Sequence, residues 1–296
     1  MKKKVLFVIL SMVLVAGMLA GCGNSSSSEK GTIKIGAKDF SENIVVAELY
    51  ALALEKEGYT VERDFSLSGQ AAHEAITSDA IDIYPEYTGT GLCNQLGLDP
   101  VYDPQECYDL TKAGYAEQWN IVWLEPSQID DAACYIMRKD VAEEMGITNI
   151  SQAQAKANEL VFGCHADTPD RAGYKKMNEL YGTFNWKQLV TIDGNVQYEA
   201  LDKGEITFTE ALTTDPHLAT GNYVVIEEDI PFSVPYYLTP IVRGEVLEAN
   251  PEIETVLNKV SAALDNPTII ELVKRVDIDK EEATDVAKDF FDNNLQ

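Results

Sequence analysis

The chain has 296 residues, of which 49 are acidic and 23 are basic, so its formal net charge is −26 at pH 7. Such a charge repels the phosphates of nucleic acids and the surfaces of anionic lipids, so neither is an expected partner. The length suits one large domain or two lobes with separate cores.

The first residues have the pattern of a lipoprotein export signal. Three lysines at positions 2–4 precede an apolar run at 5–20, and Cys22 follows after a glycine. A basic start, a short apolar segment and small residues before the cleavage site define such a signal. We therefore expect a signal peptide at residues 1–21 and lipidation of Cys22. A membrane-spanning anchor is the alternative, but the run is shorter than the ~20 residues that a spanning helix needs.

Residues 22–31 are rich in Ser and Gly, as expected of a flexible tether between the membrane and a folded domain. Removal of the signal peptide deletes three lysines and leaves a net charge of about −29.

From residue 32 onward, strand patterns alternate with helix patterns, which predicts an α/β fold with mostly parallel sheets. The first helix starts with a capping-box-like pair, Asp39 and Glu42, and ends at Gly58. Strands are predicted at 32–36, 60–65, 81–84, 121–124, 134–138, 159–163, 189–192, 206–210 and 223–227, with a last one that ends at Arg243. Three helices follow at 251–264, 268–275 and 280–293.

The run at 81–91, IDIYPEYTGTG, predicts a binding loop. Pro85 lacks an amide hydrogen and is expected to end the strand. Beyond it the run offers the aromatic face of Tyr87, the hydroxyl of Thr90 and two glycines that allow close backbone approach. An ordinary turn between a strand and a helix is the alternative.

Four further cysteines follow, namely Cys93, Cys107, Cys134 and Cys164. An even number in an exported chain permits disulfides, with three possible connectivities. We expect Cys93 to pair with Cys107 and Cys134 with Cys164, and four free thiols are the alternative. No CxxC or HxxxH spacing occurs, so no metal site is expected.

An enzyme is the competing class of function. Asp82 and Glu86 are candidates for an acid/base pair, but GxSxG, HExxH and P-loop motifs do not occur. We expect Asp82 to be structural and Glu86 to lie at a rim, and we expect neither catalysis nor a cofactor. A structural or adhesive surface lipoprotein is a third class of function. A finding that no small solute binds would favour it.

The motif YPEYTGT after a strand resembles the signature of the substrate-binding proteins of osmoprotectant ABC transporters, which import glycine betaine, choline, carnitine and related quaternary ammonium compounds. Residues 35–63 resemble the opening strand and helix of that family, and VPYYLTPIVR at 234–243 its return crossover. NPEIETVLNKV at 250–260 and the helix that ends the chain also fit. The resemblance covers nearly all of residues 32–295.

This resemblance implies a two-lobed, type II periplasmic-binding-protein-like fold with two crossovers and the ligand in the cleft between the lobes. The lobes would comprise residues 32–128 with 236–296, and residues 129–235. Hinges are expected at 126–131 and 231–237. The implied protein is a monomeric receptor, anchored by lipid to the outer face of the cell membrane. It would pass its ligand to an ABC permease driven by a separate ATPase.

The resemblance also implies site residues for a zwitterionic ligand. Lys38, Thr90 and Arg171 match residues that meet the ligand carboxylate, as cations and hydroxyls do well. The alternatives are a surface ion pair with Asp167 or Asp170 for Arg171 and a solvated loop end for Lys38.

For the methylated ammonium, which has no N–H and is held by aromatic faces, Tyr87 and Tyr236 match two walls of an aromatic box. For Tyr236, the alternative is a packing residue of the hinge. Asp131 matches an acidic or amide residue at the hinge. Where the family has two further tyrosines, this chain has Ala133 and Leu212, although Tyr135 lies on the same strand face as Ala133. A less methylated solute, a proline-type betaine or an amino-acid-like ligand would fit such a looser cage.

Overall fold

The computed structural model describes residues 30–192 and 196–296. The predicted signal peptide, Cys22 and most of the predicted tether lie outside this part of the chain. Among the described residues, no helix combines the length and the apolar character needed to cross a membrane.

Two five-stranded sheets organise the fold, and we name the parts built on them the first and second lobes. The first sheet has the order β2-β1-β3-β10-β4, and the second has the order β7-β6-β8-β5-β9. The strands are β1 (Thr32–Lys38), β2 (Thr60–Leu67), β3 (Ile83–Tyr87), β4 (Ile121–Trp123), β5 (Ala133–Arg138), β6 (Val161–Cys164), β7 (Gln188–Thr191), β8 (Phe208–Leu212), β9 (Tyr223–Ile226) and β10 (Leu238–Arg243).

Both sheets are mixed, where mostly parallel sheets were predicted. In the first sheet β1 is parallel to β2 and β3, but β10 is antiparallel to β3 and β4. In the second sheet β6 is parallel to β7 and β8, but β5 is antiparallel to β8 and β9. The strands β5 and β10 are those by which the chain enters each sheet from the other lobe, and they run against their neighbours.

Helices cover the two sheets. They are α1 (Ser41–Lys56), α2 (Gly69–Thr77), α3 (Pro104–Trp119), α4 (Lys139–Met145), α5 (Ile150–Ala155), α6 (Ala172–Tyr181), α7 (Gln197–Asp202), α8 (Gly244–Ala249), α9 (Glu252–Ser261), α10 (Asn266–Asp277) and α11 (Ala283–Asn294). A π-helical turn spans Thr90–Gln95, and short 3₁₀ segments span Ala157–Glu159, Thr168–Asp170 and Pro216–Thr220.

Helix α1 does not begin as predicted. Its N-cap is Phe40, with no side-chain capping bond, and the Lys38 amide donates to Asn43 Oδ1 at 2.7 Å. The Glu42 carboxylate faces inward, where it accepts from Tyr87 Oη at 2.7 Å. The helix ends at Lys56, and Gly58 follows with a φ of 93°, so the predicted stop is confirmed.

Each lobe has its own core. In the first lobe, Ile35, Leu49 and Leu257 belong to a buried cluster between the sheet and helices that include α1 and α9. Each such side chain contributes roughly 1.5–3 kcal/mol by leaving water. The core of the second lobe is rich in aromatics: Phe162 on β6 and Phe208 on β8 are both fully buried.

Two crossing segments, residues 124–132 and 227–237, connect the lobes. They bond to each other: the Asp131 amide donates to the Tyr236 carbonyl at 3.1 Å, and the Leu238 amide donates to the Ile129 carbonyl at 3.0 Å. Asp130 and Tyr237 form an isolated antiparallel bridge. The segments therefore lie side by side, and the hinges predicted at 126–131 and 231–237 fall within them. The boundaries predicted within them stay a prediction.

The run at 81–91 is more buried than a binding loop would be. Strand β3 continues through Pro85 to Tyr87, and all five of its residues are buried. Pro85 stands directly opposite Pro240 of β10. Alternate residue pairs of an antiparallel ladder exchange no N–H bonds, so paired prolines can stand there without ending the strand. The prediction that Pro85 ends the strand was therefore wrong.

The predicted disulfides are not present, because Cys93, Cys107, Cys134 and Cys164 are all free. Cys134 on β5 and Cys164 on β6 are separated by strand β8, and two strand spacings come to roughly 9–10 Å, beyond the reach of a disulfide. Cys107 Sγ instead lies 4.0 Å from the Pro235 carbonyl. The alternative of four free thiols describes the structure.

Candidate functional site

A cavity of about 550 Å³ lies between the lobes. The first lobe contributes Cys93, Pro100 and Tyr102, which follow β3 in the chain. The second lobe contributes strands β5 and β8 and the start of α6, and the returning crossing segment closes one side. The cavity has the size of a small-ligand site, and its lining is mostly apolar and aromatic with a few charged groups.

Strands β5 and β8 form one wall of the cavity. Their antiparallel register places Ala133 opposite Leu212 and Tyr135 opposite Glu210. Side chains two residues apart on a strand share a face, so these four project on the same side. All four line the cavity. The two positions without the expected tyrosines are therefore direct neighbours, and they leave one continuous space.

Tyr135 belongs to an aromatic cluster at the inner end of this wall. Its ring stacks on Phe208 with a centroid distance of 5.2 Å and approaches Phe232 at 6.3 Å. Both Tyr135 and Phe232 line the cavity, and Tyr174 adds a further ring. This cluster provides the aromatic faces that a methylated ammonium needs.

Arg171 brings a guanidinium group to the cavity. It pairs with Asp167 at 2.9 Å, and its Nη1 lies 3.7 Å from Glu210 Oε2. Its hydrogen bonds to Asp167 lower the pKa of that carboxyl. The surface ion pair weighed as an alternative is thus present, but the Arg171 side chain is 46% exposed and retains donors toward the cavity.

Tyr236 lies where the returning crossing segment meets the first lobe. Its amide donates to Asp130 Oδ1 at 2.7 Å, and its ring packs over Gly89. A methyl group at Gly89 would stand 3.0 Å from the ring and 2.8 Å from the Pro235 carbonyl. The glycine is therefore required by close approach of Tyr236, which lines the cavity.

The structure gives Lys38 a different environment from the predicted one. It is 5% exposed, forms an ion pair with the fully buried Glu86, and lies 4.9 Å from the centroid of the Tyr87 ring. Glu86 also accepts from Tyr84 Oη at 2.9 Å and from the Tyr87 amide at 2.7 Å. Glu86 is thus a core residue and not a rim residue. Lys38 neutralises it and is not among the cavity-lining residues.

Asp82 has the structural role that was predicted. It accepts from the Lys34 amide at 2.8 Å and from Arg243 Nη1 at 3.2 Å.

Tyr87, Asp131 and Thr90 also lie away from the cavity lining. Tyr87 is 3% exposed and donates to Glu42. Asp131 accepts from Thr214 Oγ1 at 2.6 Å, which ties the crossing segment to the residues after β8. Thr90 is partly exposed at the start of the π-helical turn. Of the seven predicted ligand-binding residues, the structure brings Tyr135, Arg171 and Tyr236 to the cavity.

Two carboxyl groups, those of the buried Glu42 and the half-buried Asp131, lie beside the crossing segments. Burial, with the nearby Asp131 charge, raises the pKa of Glu42 to about 8. Burial likewise raises the pKa of Asp131 to about 6, against the bond from Thr214. The ammonium of Lys38 is already paired with Glu86, so this pair of carboxyls favours keeping a proton.

Sequence reasoning missed Glu210, Tyr174 and Phe232 as cavity residues. Glu210 becomes visible only through the register that sets it opposite Tyr135. Tyr174 lies in the first turn of α6, three residues after Arg171, which is the N-cap of that helix. Phe232 lies in the predicted hinge and could have been weighed with Tyr236.

The sequence is similar to those of known transport proteins. Residues 31–293 match the family model of the substrate-binding domain of ABC-type glycine betaine transport systems. The chain belongs to this family. It is 27% identical to a carnitine transport binding protein, OpuCC, of Listeria monocytogenes over 99% of this chain and 98% of that protein. It is 29% identical to a glycine-betaine-binding protein of Pseudomonas aeruginosa, over 92% and 91%.

The fold agrees with this family. A solved structure described as a glycine betaine/carnitine/choline ABC transporter matches with a TM-score of 0.82 at 21% identity, covering 88% of this chain and 98% of that one. The predicted α/β fold of the type II periplasmic-binding-protein kind is therefore confirmed. The predicted role of this chain as the substrate-binding component of an ABC importer is also confirmed.

Proposed function

We propose that this protein binds a small zwitterionic solute that carries an ammonium group and a carboxylate, with glycine betaine as the type compound. The observation that carries the proposal is a single cavity in which the guanidinium of Arg171 and the aromatic faces of Tyr135 and Tyr236 meet. A guanidinium pairs with a carboxylate, and aromatic faces attract a methylated ammonium. The solute would lie between them as the lobes close.

The receptor would act outside the cytoplasm, held to the outer face of the cell membrane by a lipid on Cys22. It would deliver the solute to an ABC permease that a separate ATPase drives. The motif before Cys22 supports this anchoring. Labelling of growing cells with a fatty acid tests it: the wild-type chain should incorporate label, and Cys22→Ala should not. Label retained by Cys22→Ala would contradict the anchoring.

Thermal unfolding tests the ligand. The mature chain with Cys22→Ser would be melted with glycine betaine, carnitine, proline betaine, proline and choline. A ligand at a hundredfold excess over its dissociation constant stabilises by about 2.7 kcal/mol, a shift of several degrees. Betaines should raise the midpoint more than choline, which lacks a carboxylate. No shift with any zwitterion would contradict the proposal.

An amino-acid-like ligand is a second candidate. The observation that favours it is the presence of both a guanidinium, on Arg171, and a carboxylate, on Glu210, in the cavity lining. These charges complement the carboxylate and ammonium of an amino acid. Shifts with proline or other amino acids alone would favour this candidate.

A further inference from the structure

Glu210 is a carboxylate in the cavity lining with aromatic side chains as neighbours. It stands opposite Tyr135 in the register of β5 and β8, and Phe208 lies two residues earlier on the same face. Its side chain is 26% exposed and lines the cavity. A carboxylate thus stands at the edge of the aromatic cluster, on the side that faces the ligand space.

One oxygen of this carboxylate is free. Oε2 accepts from Thr168 Oγ1 at 3.0 Å and lies 3.7 Å from Arg171 Nη1, a distance too long for a hydrogen bond. No donor within the described residues bonds to Oε1. Arg171 has its closer partner in Asp167, with hydrogen bonds of 2.9 and 3.2 Å. Glu210 therefore makes no hydrogen bond to Arg171, and its Oε1 can still accept one from a ligand.

The other carboxylate in the cavity lining, Asp215, is differently placed. Its Oδ1 accepts from the His217 amide at 3.0 Å and lies 3.0 Å from the ring Nδ1 of the same histidine. It caps the 3₁₀ segment that follows. Asp215 thus stabilises the local backbone, whereas Glu210 has an oxygen that can accept a hydrogen bond from a ligand.

We propose that Glu210 accepts a hydrogen bond from the cationic nitrogen of the ligand, so that the cleft prefers a secondary or tertiary ammonium to a quaternary one. This inference rests on the proposed function, because it assumes a ligand with an ammonium and a carboxylate. A quaternary ammonium has no N–H and can use only the aromatic faces and the charge. A tertiary ammonium keeps those attractions and adds one charge-assisted bond to Oε1.

The neighbouring wall is compatible with this preference. Ala133 and Leu212 leave the space beside Glu210 open, so a nitrogen can approach the carboxylate without a ring in between. Leu212 is 47% exposed and offers no aromatic face. The carboxylate end of the ligand would meet Arg171, whose Nη1 lies 3.7 Å from Glu210 Oε2, so a short zwitterion could reach both groups.

The test compares ligands that differ by one methyl group. Binding of each would be measured by calorimetry to the mature chain with Cys22→Ser, for glycine betaine against N,N-dimethylglycine, carnitine against norcarnitine, and choline against dimethylaminoethanol. The member with an N–H should bind about tenfold more tightly in at least the pair that binds best. Glu210→Gln should abolish that preference, while Glu205→Gln, an exposed change of the same charge in the same lobe, should retain it.

The choline pair separates a direct role from one through Arg171, because neither member has a carboxylate. If Glu210→Gln also removes the preference for dimethylaminoethanol over choline, direct contact between Glu210 and the ligand nitrogen is supported. Loss confined to the carboxylate-bearing pairs would overturn it and make Glu210 a positioning residue for Arg171. Tighter binding of the quaternary members, or an unchanged preference in a folded Glu210→Gln, would also overturn it. If no ligand of any pair binds the wild-type chain, the proposed function itself fails.

Discussion

At the scale of single residues, the buried Glu42 makes stability depend on pH. An unfolded chain ionises this group near the ordinary value of 4.5, but in the folded protein its pKa is about 8. Its stabilising contribution is therefore complete below pH 4.5 and is lost as the pH rises toward 8. By pH 8 the loss should be on the order of 4 kcal/mol.

Glu42→Gln cannot ionise and its amide oxygen can still accept from Tyr87. We expect the free energy of unfolding of this variant, relative to the wild type, to rise between pH 5 and pH 8. Urea unfolding at both pH values measures it. Glu117→Gln removes an exposed carboxylate as a control and should show a much smaller change. A difference for Glu42→Gln that is equal at both pH values would argue against a buried, protonated Glu42.

A second prediction concerns Leu212, which is 47% exposed in the cavity wall. Leu212→Tyr would place an aromatic face beside Ala133, where a methylated ammonium could meet it. Each added cation–π contact gives roughly 0.5–2 kcal/mol, or about two- to thirtyfold in affinity. Calorimetry with glycine betaine should show tighter binding. Leu189→Tyr, at a position 48% exposed outside the cavity lining, should change nothing, and an equal gain there would contradict a local effect.

At the scale of elements, the contact between the β3 loop and the returning crossing segment fixes Tyr236. Thr88 bonds to the Pro235 carbonyl at 3.0 Å and accepts from the Tyr237 amide at 3.0 Å, and Gly89 lies beneath the Tyr236 ring. This contact connects the motif that first suggested binding to the cavity. In the structure, this motif holds the returning crossing segment and the Tyr236 ring in place.

Gly89→Ala should disturb that contact, because its methyl group would meet the Pro235 carbonyl at 2.8 Å. Overpacking of this kind costs about 1–3 kcal/mol, and displacement of Tyr236 should also weaken binding. Thermal unfolding and calorimetry measure the two effects. Gly69→Ala, with nothing within 4 Å of the new methyl group, is the control. Equal stability of the two variants would contradict the prediction, because it would show that the backbone around Gly89 can move away from the Pro235 carbonyl at little cost.

The four cysteines after Cys22 give a prediction at the same scale. Since all four thiols are free in the structure, alkylation of the denatured mature chain with Cys22→Ser, without reductant, should add four labels. Intact-protein mass spectrometry counts them. Two labels would indicate one disulfide; a Cys93–Cys107 bond would then be the candidate, because strand β8 separates the other pair.

At the scale of the whole molecule, much of the fold was accessible from the sequence. The predicted strands lie within a few residues of the observed ones: β5, for example, was predicted at 134–138 and spans Ala133–Arg138, with a run of four buried residues. The three C-terminal helices followed from amphipathic spacing and agree with α9, α10 and α11. What local patterns could not provide was strand direction, which depends on how the chain returns from the other lobe.

The site was less accessible for a related reason. The family resemblance, with strand-face spacing for Tyr135, selected Arg171, Tyr135 and Tyr236. It selected Lys38 and Tyr87 as well, but these two are buried in a polar network with Glu86 and Glu42. Burial is a property of packing between distant segments, and residue type does not reveal it. Glu210 was overlooked because cross-strand register, not spacing along the chain, places it in the cavity.

The central claim is that the cleft binds a zwitterion whose carboxylate meets Arg171. It is tested most directly by calorimetric titration of the mature chain and its Arg171→Gln variant with N,N-dimethylglycine, glycine betaine and choline. Saturable binding of the zwitterions that weakens tenfold or more in Arg171→Gln, with little change for choline, is the predicted result. Zwitterion binding that is unchanged in Arg171→Gln, or no binding to the wild-type chain, would contradict the claim.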